Sequence, residues 1–254
     1  KDSLITGLDV GSTTIRMVVG QKSRQDEKLK IVGAIETPAQ GISKGVVVSV
    51  EDAVSSISAA LEKLERMVGQ PIDHAWVGIS GSHITAQESK GLVAVSKADG
   101  EIRPEDVERV IEAARAMATP PNYEILHVIP KSFTVDYQTG IKDPIGMTGV
   151  RLEVETQIIQ GLTSQIKNLT KCIYRTGLNI DDLILSALAA AGSVLTSRQK
   201  ELGVVVINFG GATTSIAVFE EGDVIHTAVL PVGSEYVTND IAIGLRISID
   251  TAEK

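Results

Sequence analysis

Gly7-Leu8-Asp9-Val10-Gly11-Ser12-Thr13-Thr14 opens the chain, and Asn208-Phe209-Gly210-Gly211-Ala212-Thr213-Thr214 repeats its grammar near the other end. An apolar run that reads as a buried strand precedes each stretch: Leu4-Ile5 before the first, Val204 to Ile207 before the second. Another β-rich run follows each, Ile15 to Val19 and Ile216 to Phe219, so both stretches are predicted to be β-hairpin turns. Glycine allows close approach of backbone to a ligand, and successive N–H groups in such a turn form an anion-binding nest. Either turn alone reads more readily as an ordinary hairpin. The pair points to a phosphate chain clamped between two halves of the molecule. No Gly-Lys-Ser/Thr follows, which excludes the Walker pattern, and a strand rather than a helix follows, which excludes the dinucleotide fingerprint.

Composition narrows the function classes. The 254 residues can form a large core and two domains. A formal net charge of −8 with 3% aromatics argues against basic phosphate tracks and base-stacking platforms, and so against nucleic acid. The single cysteine, Cys172, sits among apolar helix positions; it excludes an internal disulfide and fits a reducing cytoplasm. No stretch reaches the ~20 apolar residues of a membrane span, and no secretory leader is visible. The run Leu183 to Leu195 is Ala-rich and reads as a buried helix beginning at Asp181 or Asp182.

Strands are predicted over 3–8, 14–20 and 29–36, the last after a charged hairpin tip, Lys22 to Lys28. Val54, Ile57, Leu61, Leu64 and Val68 follow helical spacing, so a helix is predicted over 51–68, with acids at its start and Gly69 past its end. A strand at Ala75 to Ile79 completes the start of a ribonuclease-H-like fold. Residues 82–161 break this rhythm. They hold short strand candidates at 85–89, 91–95, 124–129 and 151–159, a helix from Pro104 to Ala118, and frequent Pro and Gly, which together read as a small α+β insert. Thr163 is predicted to cap a further helix ended by Gly177.

With Glu201-Leu202-Gly203-Val204, the second turn, Gly222-Asp223-Val224-Ile225-His226 through Pro231, and Val237-Thr238-Asn239-Asp240, the chain resembles the FtsA family of actin-like bacterial cell-division proteins. The insert fits too, its end at Arg151-Leu152-Glu153-Val154-Glu155 resembling the closing strand of that family's extra domain. The resemblance implies an α/β actin-like ATPase fold: first lobe at 1–81 and 162–196, α+β insert at 82–161, and only the beginning of a second lobe at 197–254. It implies an ATP-binding adaptor that forms filaments, links the FtsZ ring to the inner face of the cell membrane and recruits later division proteins through the insert. In the family, FtsZ and the membrane are met by C-terminal portions beyond Lys254, so this chain reads as a fragment with weak or no direct membrane binding.

Residue by residue, the resemblance puts Asp9 toward Mg²⁺, and Gly11, Ser12, Thr13 and Thr14 around the phosphates. Arg16 takes the place of a phosphate-facing lysine of actin. Asn208, Gly210, Gly211, Ala212 and Thr213 form the second phosphate turn, and Gly233 approaches the nucleotide. Three departures bear on chemistry: Asn208 and Ser215 stand where Asp is usual, and Ala212 stands where Gly is usual. Ser186 takes the position that often presents Gln or Glu to the hydrolytic water. ATP hydrolysis is therefore expected to be slow or absent.

His74, His83, His127 and His226 lack metal-ligand spacing. Glu101, Glu105, Asp106, Glu108 and Glu112 read as a solvated helix face. Ser80-Gly81-Ser82 lacks the flanks of a nucleophile elbow. The insert, which the core of the lobe does not require, reads as an interaction module. The alternatives are a pilus-assembly adaptor like PilM, which shares the layout, and a metabolite kinase of the same superfold, for which no catalytic Asp facing a substrate pocket is visible.

Overall fold

In a computed structural model, residues 4–22, 29–96, 99–118 and 120–254 are described. Ser3 and most of the predicted tip Lys22 to Lys28 lie outside these residues. Strands β1 (Leu4–Val10), β2 (Thr14–Lys22) and β3 (Leu29–Pro38) form an antiparallel meander. On β2, Ile15, Met17 and Val19 are buried while Arg16 and Val18 are exposed, the alternation a one-sided sheet requires. A short pair, β4 (Ile42–Ser43) and β5 (Val46–Val47), leads into helix α1 (Val50–Val68).

Helix α1 starts where Ser49 Oγ accepts from the Asp52 N–H at 3.4 Å, and it stops at Gly69 in the left-handed region, φ 77°. Its face Ala53, Ile57, Ala60, Leu61 and Leu64 is buried against β2 and β3. Each large apolar side chain so buried contributes about 1.5–3 kcal/mol. Leu64→Ala, at a fully buried position, is expected to cost about 2–5 kcal/mol.

Strand β6 (His74–Ile79) then pairs parallel with β1. The chain next builds a separate antiparallel sheet from β7 (Ile84–Ala94), β8 (Tyr123–Val135), β9 (Gln138–Ile141) and β10 (Arg151–Leu162), in the order β7-β10-β8-β9. Helix α2 (Pro104–Ala118) lies on it, brought close by Gly91, where a Cβ would meet Val110 O at 2.1 Å. The two short strand candidates at 85–95 are one continuous strand, β7, and β9 escaped the sequence reading because Gln138 to Ile141 holds a single large apolar residue.

Helix α3 (Thr163–Arg175) follows β10 without a break. Thr163 is not its cap: Leu162, the last residue of β10, holds that place with no side-chain bond, and the Thr163 N–H donates to Asn122 O at 3.0 Å. Strand β11 (Asn179–Leu185) then joins β6 in parallel, which corrects the start of the Ala-rich helix. That helix, α4, runs Ser186–Val194. The acids misread as a helix start sit on an edge strand, where they are tolerated: Asp181 Oδ2 meets His74 Nδ1 at 2.8 Å, and Asp182 Oδ1 accepts from Leu183 N at 2.8 Å. The first sheet thus has the order β11-β6-β1-β2-β3.

After α5 (Ser197–Leu202), β12 (Val204–Phe209), β13 (Thr214–Glu220) and β14 (Asp223–Leu230) form a third, antiparallel sheet. Helices α6 (Ser234–Leu245) and α7 (Ile249–Ala252) end the chain. One core holds Leu8, Ile15, Ile57, Val77, Ile173 and Phe219; a second, inside the insert, holds Ile102, Val110, Phe133, Leu152 and Val154. β10 runs through both, contributing Leu152 and Val154 to the second core and Ile159 to the first. Cys172 is fully buried, and burial pushes its thiol pKa up, so it is packing. No helix among the described residues is long and apolar enough to cross a membrane.

Candidate functional site

The two glycine turns have the same construction. Val10 pairs with Ile15 and Phe209 with Thr214, so each hairpin closes over four residues. Gly11 N donates to Thr14 O at 3.0 Å, and Gly210 N donates to Thr213 O at 2.9 Å. The turns face each other across the cleft between the first and third sheets. A Cβ on Gly211 would lie 2.5 Å from Thr13 Cγ2, so glycine alone permits this approach. Asp9, Gly11, Ser12, Thr13, Thr14, Arg16, Asn208, Gly210, Gly211, Ala212 and Thr213 line one cavity of about 60 Å³ that opens to solvent. Gly233 does not line it. It packs beneath the second turn, where a Cβ would meet Gly210 O and Gly211 O at 2.4 and 2.3 Å.

Further lining comes from Gly45, Ser80, Ser186 and Ser215. Ser186 and Ser215 drew attention in the sequence only as departures, whereas Gly45 and Ser80 carried no motif. Gly45, at φ 73°, sits against Ser80 O, and its N–H donates to Ser12 Oγ at 2.9 Å. Ser80 and Ser215 hydroxyls meet across the cleft at 2.8 Å. At the mouth, Lys44 Nζ donates to the Tyr236 hydroxyl at 3.1 Å.

Among the described residues, Asp9 is the only acid lining this cavity and Arg16 the only strong base. Burial raises the Asp9 pKa above its ordinary 3.8, while a hydrogen bond from Ser186 and the charge of Arg16 pull it down. Ser186 Oγ donates to Asp9 Oδ1 at 3.1 Å. Gly78 makes room for that pair, since a Cβ there would lie 3.0 Å from both Asp9 Oδ1 and Ser186 Oγ. Arg16 is turned to Glu36, with Nε to Oε2 at 3.3 Å and Nη2 to Oε1 at 3.4 Å. The donor set fits a phosphate chain with a hydrated divalent cation: two backbone nests, a ring of hydroxyls, and one half-buried carboxylate whose desolvation a cation relieves. Among the described residues no three His, Cys, Asp or Glu side chains are grouped to hold a metal by themselves.

Asp106 corrects the reading of the α2 acids as a solvated face. Its residue is 2% exposed, and it accepts from Ser96 N and Oγ, Arg103 N and Arg109. Burial alone would raise its pKa, but these bonds outweigh burial and hold it at about 2. It ties the end of β7 to the start of α2, a structural part of the insert.

Comparison with known proteins gives consistent matches. The sequence family described as "SHS2 domain inserted in FTSA" matches residues 81–160, and that described as "Cell division protein FtsA" matches residues 205–254. The chain is 43% identical to Cell division protein FtsA of Pseudomonas aeruginosa over 99% of its length, covering 60% of that protein. It is also 43% identical to the Bacillus subtilis protein of that name, covering 57% of it, and 37% identical to that of Escherichia coli K12, covering 56%. The chain therefore spans somewhat over half the length of these relatives. Among solved structures, a PilM-PilN type IV pilus biogenesis complex superposes with a TM-score of 0.72 at 13% identity, over 98% of this chain and 68% of that one. The ethanolamine utilization protein EutJ of Carboxydothermus hydrogenoformans superposes with a TM-score of 0.56 at 17% identity, over 100% of this chain and 61% of that one. These two likenesses concern the fold.

Proposed function

We propose a function from one premise: this chain belongs to the FtsA family of actin-like cell-division proteins. On this reading it binds ATP with Mg²⁺ in the cleft, and the nucleotide acts as a conformational ligand more than as a substrate. A ligand that contacts both lobes favours their closure, and closure sets the geometry of contacts between copies in a filament. Residues 1–81 and 162–196 form the first lobe, 82–161 the insert, and 197–254 the beginning of the second lobe. The insert recruits later division proteins. On the same reading the protein links the FtsZ ring to the inner face of the cell membrane.

The observation that carries this reading is the meeting of the two glycine turns, Gly11 to Thr14 and Gly210 to Thr213, around one cavity. When bound, Mg²⁺ would neutralise phosphate charge. Asp9 would hold it through water, and the two sets of N–H groups would orient the phosphates. Ser186 is engaged with Asp9, which leaves it poorly placed to activate a water and supports slow hydrolysis. A metabolite kinase needs a second acid to take a substrate proton, and among the described residues this cavity offers Asp9 alone. The PilM-like reading shares the fold, but at 13% identity it has no support comparable to the family match.

Calorimetric titration with ATP, with and without Mg²⁺, tests the proposal. Saturable Mg²⁺-dependent binding that Asp9→Ala abolishes is expected. Absence of binding, or brisk multiple-turnover hydrolysis, would overturn it.

A further inference from the structure

The β13–β14 hairpin reaches from the cleft to the insert. At its cleft end, β13 carries Ser215, whose hydroxyl meets Ser80 at 2.8 Å. At its far end, Glu221 in the turn and Asp223 at the start of β14 both face Lys142, the residue that follows β9 of the insert. Lys142 Nζ pairs with Asp223 Oδ2 and lies 3.8 Å from Glu221 Oε2, and the charge of Glu201 on α5 also acts on it. Between these ends β14 lies against β7, β8 and β10. Thr227 is buried there, and with Ala228 it faces Ile84, Thr85, Ala86 and Leu185 around a small void. Seven residues of β13 make a stiff rod roughly 20 Å long at the usual strand rise. The insert also leaves the first lobe at Ser80-Gly81, beside the same cleft bond, where Ser82 N donates to Lys44 O at 3.2 Å.

We infer that this hairpin is a lever coupling cleft closure to the insert, with Lys142 of the insert held by the Glu201, Glu221 and Asp223 cluster as its outer attachment. Opening the cleft parts Ser80 from Ser215 and swings the hairpin turn, so Lys142 and β9 must follow or let go. The inference deepens the proposed function, on which it rests only for what closes the cleft: the surface offered to recruited proteins would report the state of the nucleotide site. An exposed ion pair is weak, so it serves as a tether, while the buried contact of β14 keeps the rod on the insert.

The test locks the cleft without nucleotide. Ser80→Cys with Ser215→Cys places two sulfurs where the hydroxyls now touch, and hydrogen exchange is followed by mass spectrometry in the oxidised and reduced full chain. Cys172, fully buried, stays out of disulfide exchange. Oxidation is expected to slow exchange in residues 138–149 by roughly three- to tenfold. Lys142→Glu should remove that slowing, and adding Asp223→Lys should restore it. No slowing, or equal slowing with Lys142→Glu, would overturn the lever. By reciprocity, Lys142→Glu should also weaken ATP binding by roughly two- to fivefold. Unchanged affinity in a chain that does bind ATP counts against the lever too. A chain that binds no ATP sinks the nucleotide reading, and the disulfide arm still decides the lever.

Discussion

Asn208 occupies in the second hairpin the position that Asp9 occupies in the first. Each lies one residue before its strand ends, and the register sets Asp9 opposite Arg16 and Asn208 opposite Ser215. One hairpin brings a charge pair to the cavity, and the other brings two neutral side chains. The site is therefore asymmetric in charge although its backbones repeat.

That asymmetry gives the first prediction. A raised pKa means that folding holds the Asp9 proton more tightly, so its stability contribution is present below 3.8 and lost as pH rises through the folded value. At neutral pH the carboxylate is a cost. Asp9→Asn should raise the melting temperature of the free chain while removing any Mg²⁺ dependence of nucleotide binding. A lower melting temperature together with intact Mg²⁺ dependence would contradict it.

Gly211 and Gly233 give a second. A methyl on Gly211 strikes Thr13, and one on Gly233 strikes the carbonyls of Gly210 and Gly211. Gly211→Ala should hold the turns apart and weaken ATP binding by about tenfold or more, as a loss of ~1.4 kcal/mol implies. Circular dichroism should show the fold intact. Gly233→Ala should act similarly by displacing the second turn, and Thr13→Ser, which removes the methyl that Gly211→Ala strikes, should partly rescue Gly211→Ala.

His83, which is buried, and His127, which is half-buried, predict acid sensitivity. His127 Nε2 accepts from Leu185 N at 2.9 Å, which requires a neutral ring. Burial lowers its pKa below 6.5 against the opposing charge of Asp182, and burial likewise lowers that of His83, neither of whose ring nitrogens has a partner in the structure. The unfolded chain then binds more protons just below pH 6.5, so stability falls as pH drops through that window. Melting temperature measured from pH 7.5 to 5.5 should fall less in the variant carrying His83→Gln and His127→Gln. An identical slope in both proteins would refute the assignment.

Asp106 predicts a local failure. With a pKa of about 2, its contribution is present above 3.8 and lost as pH falls toward 2. Asp106→Ala leaves Ser96 N and Arg103 N without their acceptor, and it should cost about 2–4 kcal/mol. Proteolysis should then cut within 96–103 of the variant first, and protection there equal to the parent would disprove the tie.

Local pattern made much of this legible. The turns, the meander and α1 announce themselves because alternation, caps and glycine act within a few residues. β11 did not, because Asp181 and Asp182 mimic a helix start, and only the pairing with β6 decides the matter. Asp106 looked solvated because acids at a helix start usually are. Its burial depends on the backbone of Ser96, which a sequence pattern does not bring near. Gly45 and Ser80 gave no sign of the cavity for the same reason: their places in it come from a loop crossing, Gly45 against Ser80 O, rather than from a motif.

Strand β10 has a consequence for how the molecule is made. Its Leu152 and Val154 complete the core of the insert, and its Ile159 belongs to the first lobe. β11, the edge strand beside β6, is synthesised only afterwards. A ribosome making this chain therefore releases β1 to β6 as an unfinished sheet and must deliver the whole insert before that sheet can close. The insert matures as a guest whose last strand is also its host's, and the nascent first lobe waits, with one edge open, for its guest to be finished.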